Sequence, residues 1–394
     1  MNNIFWWRQV EQIRLMRQQQ GISPVPRHPL IGYYTPNYQN NWYQKILYRE
    51  TSEGDIPFVS LENRKISLVI EDQARNPQQL IIHQHWLRQI FFGLRNNYTD
   101  RETIDQYFGR LYILRALGAK LLWSVHNLYE HDINCDEREL NQYVLQWMSR
   151  CSDLILFHNE SARFTLEQLL KIDLGDKARV LPHPLYDSML QLTPQCPPEI
   201  SPMMTKWDRS RYYLCFGLLR PYKGTEDLVR QFISLHQQGA LQSEKLVIAG
   251  RINDDALRHF LAQLTKKQVK HLIVIDRRLT DAELAWLCLR TDIAVLPYRA
   301  IFTSGSYYQA SVFALPCIVP NLGMFTEMAD GNQALKYHPP DGLAEALLRT
   351  RDMGRDELQR LGKQALDCCN GQTEVATARR FQQLVRQLWK TQEA

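Results

Sequence analysis

Residues 292–323, DIAVLPYRAIFTSGSYYQASVFALPCIVPNLG, decide the reading of the fold. Ile293, Ala294, Val295 and Leu296 predict a buried strand, which Pro297 stops. Thr303-Ser304-Gly305-Ser306 predicts a turn, and a helix of small and aromatic residues is expected from there to Ala314. Pro316 ends it, and Cys317-Ile318-Val319 predicts the next strand. The turn combines a flexible glycine, three hydroxyls and a fresh helix N-terminus, where unpaired N–H groups and the dipole suit an anion. An ordinary Ser/Thr helix cap is the plainer reading of the same residues.

The same rhythm runs outward in both directions. Segments 30–34, 58–61, 79–86, 120–127 and 154–158 predict strands, with helical stretches between them. A second series follows at 212–216, 245–251 and 272–275. Strands alternating with helices at this spacing imply parallel sheets with helices on both faces, an α/β class. A chain of 394 residues is too long for one core, so two domains are expected. Residues 1–29 predict an N-terminal amphipathic helix and a proline-marked linker. Residues 30–187 form a first Rossmann-like domain, 188–210 a Pro-, Ser- and Met-rich linker and 211–372 a second Rossmann-like domain. Residues 373–394 predict a C-terminal helix that packs back on the first domain.

Charge and composition narrow the function classes. Residues 1–120 carry 15 Lys and Arg against 10 Asp and Glu, so the net charge of +5 lies there and the remainder is neutral. A basic first half suits an anionic partner such as a membrane lipid or a lipid-linked pyrophosphate; a solvated surface explains it as well. No basic stripe with interleaved aromatics points to nucleic acid. Trp6, Val10, Ile13 and Met16 share one face of the first helix, which suits either a membrane interface or packing on the domain. No apolar run approaches the roughly 18 residues that span a bilayer. The eight cysteines form no C-x-x-C pair or zinc spacing, so free thiols and a cytoplasmic location are expected.

Candidate site residues cluster at strand ends, where ligands sit in open α/β sheets. The loop 35–41 contributes Asn37 and Asn41, and strand 79–86 ends in His83, His85 and Trp86. Strand 120–127 ends in His126 and Asn127 and runs into Glu130, His131 and Asp132, the densest titratable group in the chain. His183 lies between two prolines near the expected hinge.

Two doubly wound domains, a linker and a terminal helix resemble the GT-B architecture of nucleotide-sugar glycosyltransferases, in which the two domains face a cleft. FGLLRPYKG at 216–224 is similar to the turn that opens the donor domain in that superfamily, and TDIAVLPYR with TSG and ALPCIVP resembles its donor-phosphate segment. IIHQHW, VHNLYEHD and the Asn-rich loop look like bacterial exopolysaccharide transferases of the xanthan-type β-mannosyltransferase group. The resemblance implies a donor site at Gly217, Arg220, Lys223, Gly224, Tyr298, Thr303, Ser304, Gly305, Ser306 and Gln309. It implies an acceptor side at Asn37, Asn41, His83, His85 and Asn127, the two histidines being equally open to a structural role. The donor would be GDP-mannose or a UDP-sugar, a substrate and not a cofactor. The acceptor would be a lipid-linked glycan, with peripheral contact to the inner face of an anionic membrane.

The residues suit that chemistry. A leaving diphosphate must be met by preplaced cations; Arg220 can fork onto two oxygens and Lys223 supplies a point charge. Where the retaining relatives usually carry two glutamates eight positions apart, this chain has Ile301 and Gln309. That favours an inverting transfer with a general base among His126, Glu130, His131 and Asp132. No acidic pair has metal-site spacing, so metal-independent catalysis is expected. A sugar-nucleotide epimerase on the same fold, or a non-catalytic scaffold of a polysaccharide-assembly complex, are the alternatives.

Overall fold

Runs of four or five Val, Ile, Leu, Ala and aromatic residues with no polar alternation form strands covered on both faces, as parallel sheets require. The computed structural model describes residues 3–21, 28–38, 41–49, 52, 54–61, 66–87, 90, 101–128, 138–202 and 210–390. It divides into two units, one of residues 1–182 and 375–394 and one of residues 183–374.

The first unit holds β1 (His28–Thr35), β2 (Phe58–Ser60), β3 (Gln78–Gln84), β4 (Lys120–Ser124), β5 (Leu154–Phe157) and β6 (Ala178–Val180). They pair in parallel in the order β2-β1-β3-β4-β5-β6. The direction of winding reverses between β1 and β3, so the loops after these strands flank the switch point where doubly wound sheets bind ligands. The registers Thr35↔Gln84 and Ser124↔Leu156 carry the ends of β1, β3, β4 and β5 to one edge of the sheet.

The second unit holds β7 (Tyr212–Phe216), β8 (Lys245–Ala249), β9 (Leu272–Ile275), β10 (Ile293–Val295), β11 (Cys317–Pro320) and β12 (Leu335–Tyr337). Its parallel order is β12-β11-β10-β7-β8-β9, and its switch point lies between β7 and β10. The short β12 escaped the sequence reading; only Leu335 and Tyr337 of its three residues are buried.

Both terminal helices have defined partners in the first unit. In the helix Asn3–Gln19, Val10 is buried among Ala74, Ile113 and Leu117, with Ile13 and Met16 against them. The buried Arg17 donates from Nε to the Ala74 carbonyl at 2.7 Å. This apolar face is therefore used in packing; the Trp6 side chain lies outside the described ones. In the helix Glu374–Lys390, Phe381 and Val385 join a core with Tyr43, Leu47, Ile81 and Leu122. Gln382 fixes its register by bonding the Ile56 N–H at 2.9 Å and carbonyl at 3.0 Å.

The described part of 188–210, expected as a linker, belongs to the second unit. Met189 and Ile200 anchor it as buried residues, and the Gln195 N–H donates to the Ala282 carbonyl. The chain crosses between units at Pro182–His183 instead. All seven described cysteines are free thiols.

Phe381→Ala should cost about 3–5 kcal/mol of the first unit's stability, the usual effect of emptying a buried aromatic site. Urea unfolding followed by tryptophan fluorescence measures it; an unchanged midpoint would mean the terminal helix is not part of that core.

Candidate active site

In the second unit, the turn after β7 and the loop after β10 meet at the switch point. Glycines allow the approach. Gly224 has φ 65°, and a Cβ there would lie 2.1 Å from the Pro297 carbonyl oxygen. Gly217 has φ 105°, and a Cβ there would come within 2.9 Å of the Lys223 ammonium. The Arg299 N–H donates to the Tyr222 carbonyl at 2.8 Å and ties the two segments together.

Lys223 is 8% exposed. Its Nζ donates to Ser306 Oγ at 3.4 Å and sits 5.3 Å from the Tyr298 ring centroid. Among the described residues no carboxylate pairs with it. Burial opposes its charge, but Tyr298, Tyr222 and Cys215 act the other way and the pKa is raised on balance, so the group is a cation at neutral pH. Arg220 opens the same turn, with its Nε buried.

The expected anion turn is more mixed. Its helix, Gly305–Ser311, has seven residues and stops short of Ala314, which adopts φ 52°. Ser304 Oγ accepts from the Tyr307 N–H at 3.3 Å and lies 2.9 Å from the Tyr298 hydroxyl, so it caps the helix. Ser306 faces Lys223, and the buried Thr303 Oγ1 has no hydrogen-bond partner among the described residues. Gln309 lies one helical turn beyond Gly305. His183 Nε2 is 3.7 Å from the Cβ position of Gly305, and the Tyr186 hydroxyl is 3.2 Å from it. Tyr186 was not foreseen. With a helix this short, the side-chain cations outweigh its dipole.

In the first unit the switch point collects buried histidines. Tyr48 Oη lies 2.8 Å from His83 Nδ1 and 2.5 Å from His85 Nε2. His83 Nε2 is 2.9 Å from Ser124 Oγ. His85 Nδ1 is 3.0 Å from His126 Nε2, and His126 Nδ1 is 3.2 Å from His158 Nε2. His158 Nδ1 is 3.1 Å from the Leu181 carbonyl oxygen. Trp86 stacks on His126 with centroids 4.2 Å apart, and Tyr43 meets His126 edge-on.

His126, expected as a base, thus has both ring nitrogens within hydrogen-bond distance of other imidazoles. Glu130, His131 and Asp132 lie outside the described residues. Asn41 caps the helix Trp42–Leu47, accepting from the Gln44 N–H at 3.2 Å, whereas Asn37 is exposed and Asn127 half-buried. Tyr48 and His158 were missed. His158 ends a strand as His126 does, which was a usable signal; Tyr48 comes from a helix end 35 residues before His83 and left none.

Burial holds His83, His85 and His158 neutral. It pushes His158 down to about 4, with the Leu181 carbonyl opposing, and drives His83 and His85 well below the ordinary range, aided by neighbouring imidazoles. Each is depressed below its unfolded value of about 6.5. Between the two values the unfolded chain binds more protons, so stability is full above about pH 6.5 and falls as the pH drops towards 4. The slope is roughly 1.4 kcal/mol per pH unit for each such group. Urea midpoints at pH 7.5 and 5 should differ accordingly, and His158→Gln should flatten the difference.

Residues 210–352 match the family model of glycosyl transferases group 1. Anabaena HepE, solved with UDP, superposes with a TM-score of 0.67 at 10% identity, covering 91% of this chain and 100% of that one. Sucrose-phosphate synthase from Thermosynechococcus elongatus gives 0.67 at 14% identity, covering 92% and 100%. An E. coli structure described as trehalose-6-phosphate bound with UDP-2-fluoro glucose gives 0.61 at 13% identity, covering 82% and 76%. No curated protein matches the chain in sequence. At these identities the likeness concerns the fold, two Rossmann-like domains of the GT-B type. Residues 210–352 are similar to a group 1 glycosyltransferase domain, which together with the fold indicates a glycosyltransferase.

Proposed function

We propose that the protein transfers a sugar from a UDP-sugar to the hydroxyl of a lipid-linked oligosaccharide in bacterial exopolysaccharide assembly. Lys223 carries this reading. A buried ammonium without a carboxylate is costly, and an anionic ligand offsets that cost. The position of Lys223 at the switch point, beside the Ser306 hydroxyl and in the turn that Arg220 opens, supports this reading. A diphosphate matches both cations, the guanidinium by a fork and the ammonium as a point charge. As the bond to the sugar breaks, charge grows on the leaving diphosphate, where such preplaced groups act most strongly. The UDP and UDP-2-fluoro glucose bound in similar structures favour uridine over the GDP-mannose implied by the mannosyltransferase resemblance.

The acceptor reading rests on the aromatic and histidine-lined strand ends of the first unit and the basic surplus of residues 1–120. Inversion with a carboxylate base accounts for Ile301 and Gln309 in place of glutamates. With the nitrogens of His126 engaged, Asp132 is the base of choice. Two side-chain cations at the diphosphate imply transfer without a metal.

A thermal-shift screen of UDP, GDP, UDP-glucose, UDP-glucuronate and GDP-mannose tests the donor. Ligand at 100 times its Kd should stabilise by about 2.7 kcal/mol. A shift with GDP alone would overturn the uridine assignment, and no shift with any nucleotide would overturn the donor site. Lys223→Met should leave the ligand-free protein as stable or more so and weaken nucleotide binding at least about tenfold, since it removes a buried charge together with its ligand. Arg220→Ala should weaken binding and turnover in parallel. Asp132→Asn should lower kcat about 10²–10⁴-fold with the nucleotide shift retained, and transfer to a lipid-linked acceptor in anionic vesicles should survive EDTA.

A further inference from the structure

We propose that Tyr48, His83, His85 and His158 are positioning residues whose one-way hydrogen-bond chain holds His126 as a neutral imidazole protonated on Nδ1. The direction follows from one fixed end. The Leu181 carbonyl can only accept, so the proton at its 3.1 Å contact is on His158 Nδ1. In a neutral ring Nε2 is then an acceptor, so His126 Nδ1–H donates to it. The same step repeats: His85 Nδ1–H donates to His126 Nε2, and the Tyr48 O–H donates to His85 Nε2. The phenol oxygen accepts from His83 Nδ1–H, and the Ser124 hydroxyl donates to His83 Nε2. Six groups each supply one proton to six contacts, so every link is filled and none is doubled.

An added proton would set two donors against each other at some link. The depressed basicity of His83, His85 and His158 agrees with that cost. Among the described residues, the groups that act electrostatically on His83, His85 and Tyr48 are His83 itself on His85, His126, His158, Tyr43 and Tyr34. The rings of Tyr34, Tyr43, Phe58, Trp86 and Phe381 pack around the chain. His126 consequently presents no lone pair to an acceptor hydroxyl. It supports the half-buried Trp86 ring stacked on it at 4.2 Å. That catalytic meaning rests on the acceptor reading given above; the protonation pattern does not.

The test is a long-range ¹H–¹⁵N correlation spectrum of the full-length, histidine-labelled protein near pH 7.5, assigned with single His→Gln variants. His83, His85, His126 and His158 should all show a protonated Nδ1 and a bare Nε2, the tautomer less favoured in water. An Nε2–H tautomer or an imidazolium at His85, His126 or His158 would overturn the proposal. His158→Leu removes the acceptor of the His126 proton; His126 should become a tautomer mixture, and the acid limb of kcat/KM should move up by about one pH unit. His158→Gln keeps an amide N–H for the Leu181 carbonyl and an amide oxygen for His126, and should restore the wild-type pattern. If His158→Leu folds with the His126 signals and the acid limb both unmoved, the positioning role is wrong. If it does not fold, the wild-type spectrum and the glutamine rescue still decide. These spectra need no substrate, so a wrong acceptor assignment leaves them intact, and a failed tautomer pattern leaves the nucleotide shift intact.

Discussion

An ammonium group enclosed by protein is costly unless nearby groups offset its desolvation, and the second unit is arranged around that constraint at Lys223. The side chain reaches its place because Gly224 lets the turn after β7 press on the Pro297 carbonyl. Gly217 leaves room for the Nζ where any Cβ would collide with it. The parallel order β10-β7 brings those loops together in the first place. Strand order, glycine placement and cation burial are therefore one device. Its output is a preplaced positive charge whose desolvation cost is met while the fold forms, before any ligand arrives.

The first unit solves the opposite problem at its own switch point. Several titratable rings are buried together, and among the described residues the groups acting on His83 and His85 are other imidazoles. Neutrality is the inexpensive state, and a neutral imidazole is both donor and acceptor. Rings of that kind link head to tail through Tyr48 and end on a backbone carbonyl. One unit thus keeps a buried charge, and the other removes charge from residues that in water would titrate near neutrality.

Much of this was legible in the residues. The apolar runs 293–296 and 317–319 and the intervening Pro297 and Pro316 announced the α/β rhythm, because a strand covered on both faces has no polar alternation to hide. The short-range grouping of Arg220 with Lys223 between glycines announced a charged turn. Less legible was β12, whose three residues include a half-buried lysine and match no template. Ser304 was open to an anion-ligand or a helix-cap reading, since both roles use the same hydroxyl beside the same N–H groups, and its hydroxyl accepts the capping bond from Tyr307. His126 looked like a base because a strand-end histidine near acids is a familiar arrangement. What surrounds its two nitrogens comes from His85 and His158, 41 and 32 residues away, and no local pattern reports that.

The sequence by itself determined the class of fold, the two parallel sheets, the terminal helices and the chemistry available at each strand end. Those depend on composition and spacing within a few residues, where periodicity and turn preferences act. Tertiary structure alone decided that Lys223 is buried against Ser306 and that the chain crosses between units at Pro182–His183. It also decided that His126 lies inside a chain of imidazoles and not at its end. Each of these rests on contacts between segments brought together by strand order, and burial and hydrogen-bond partnership are properties of such contacts.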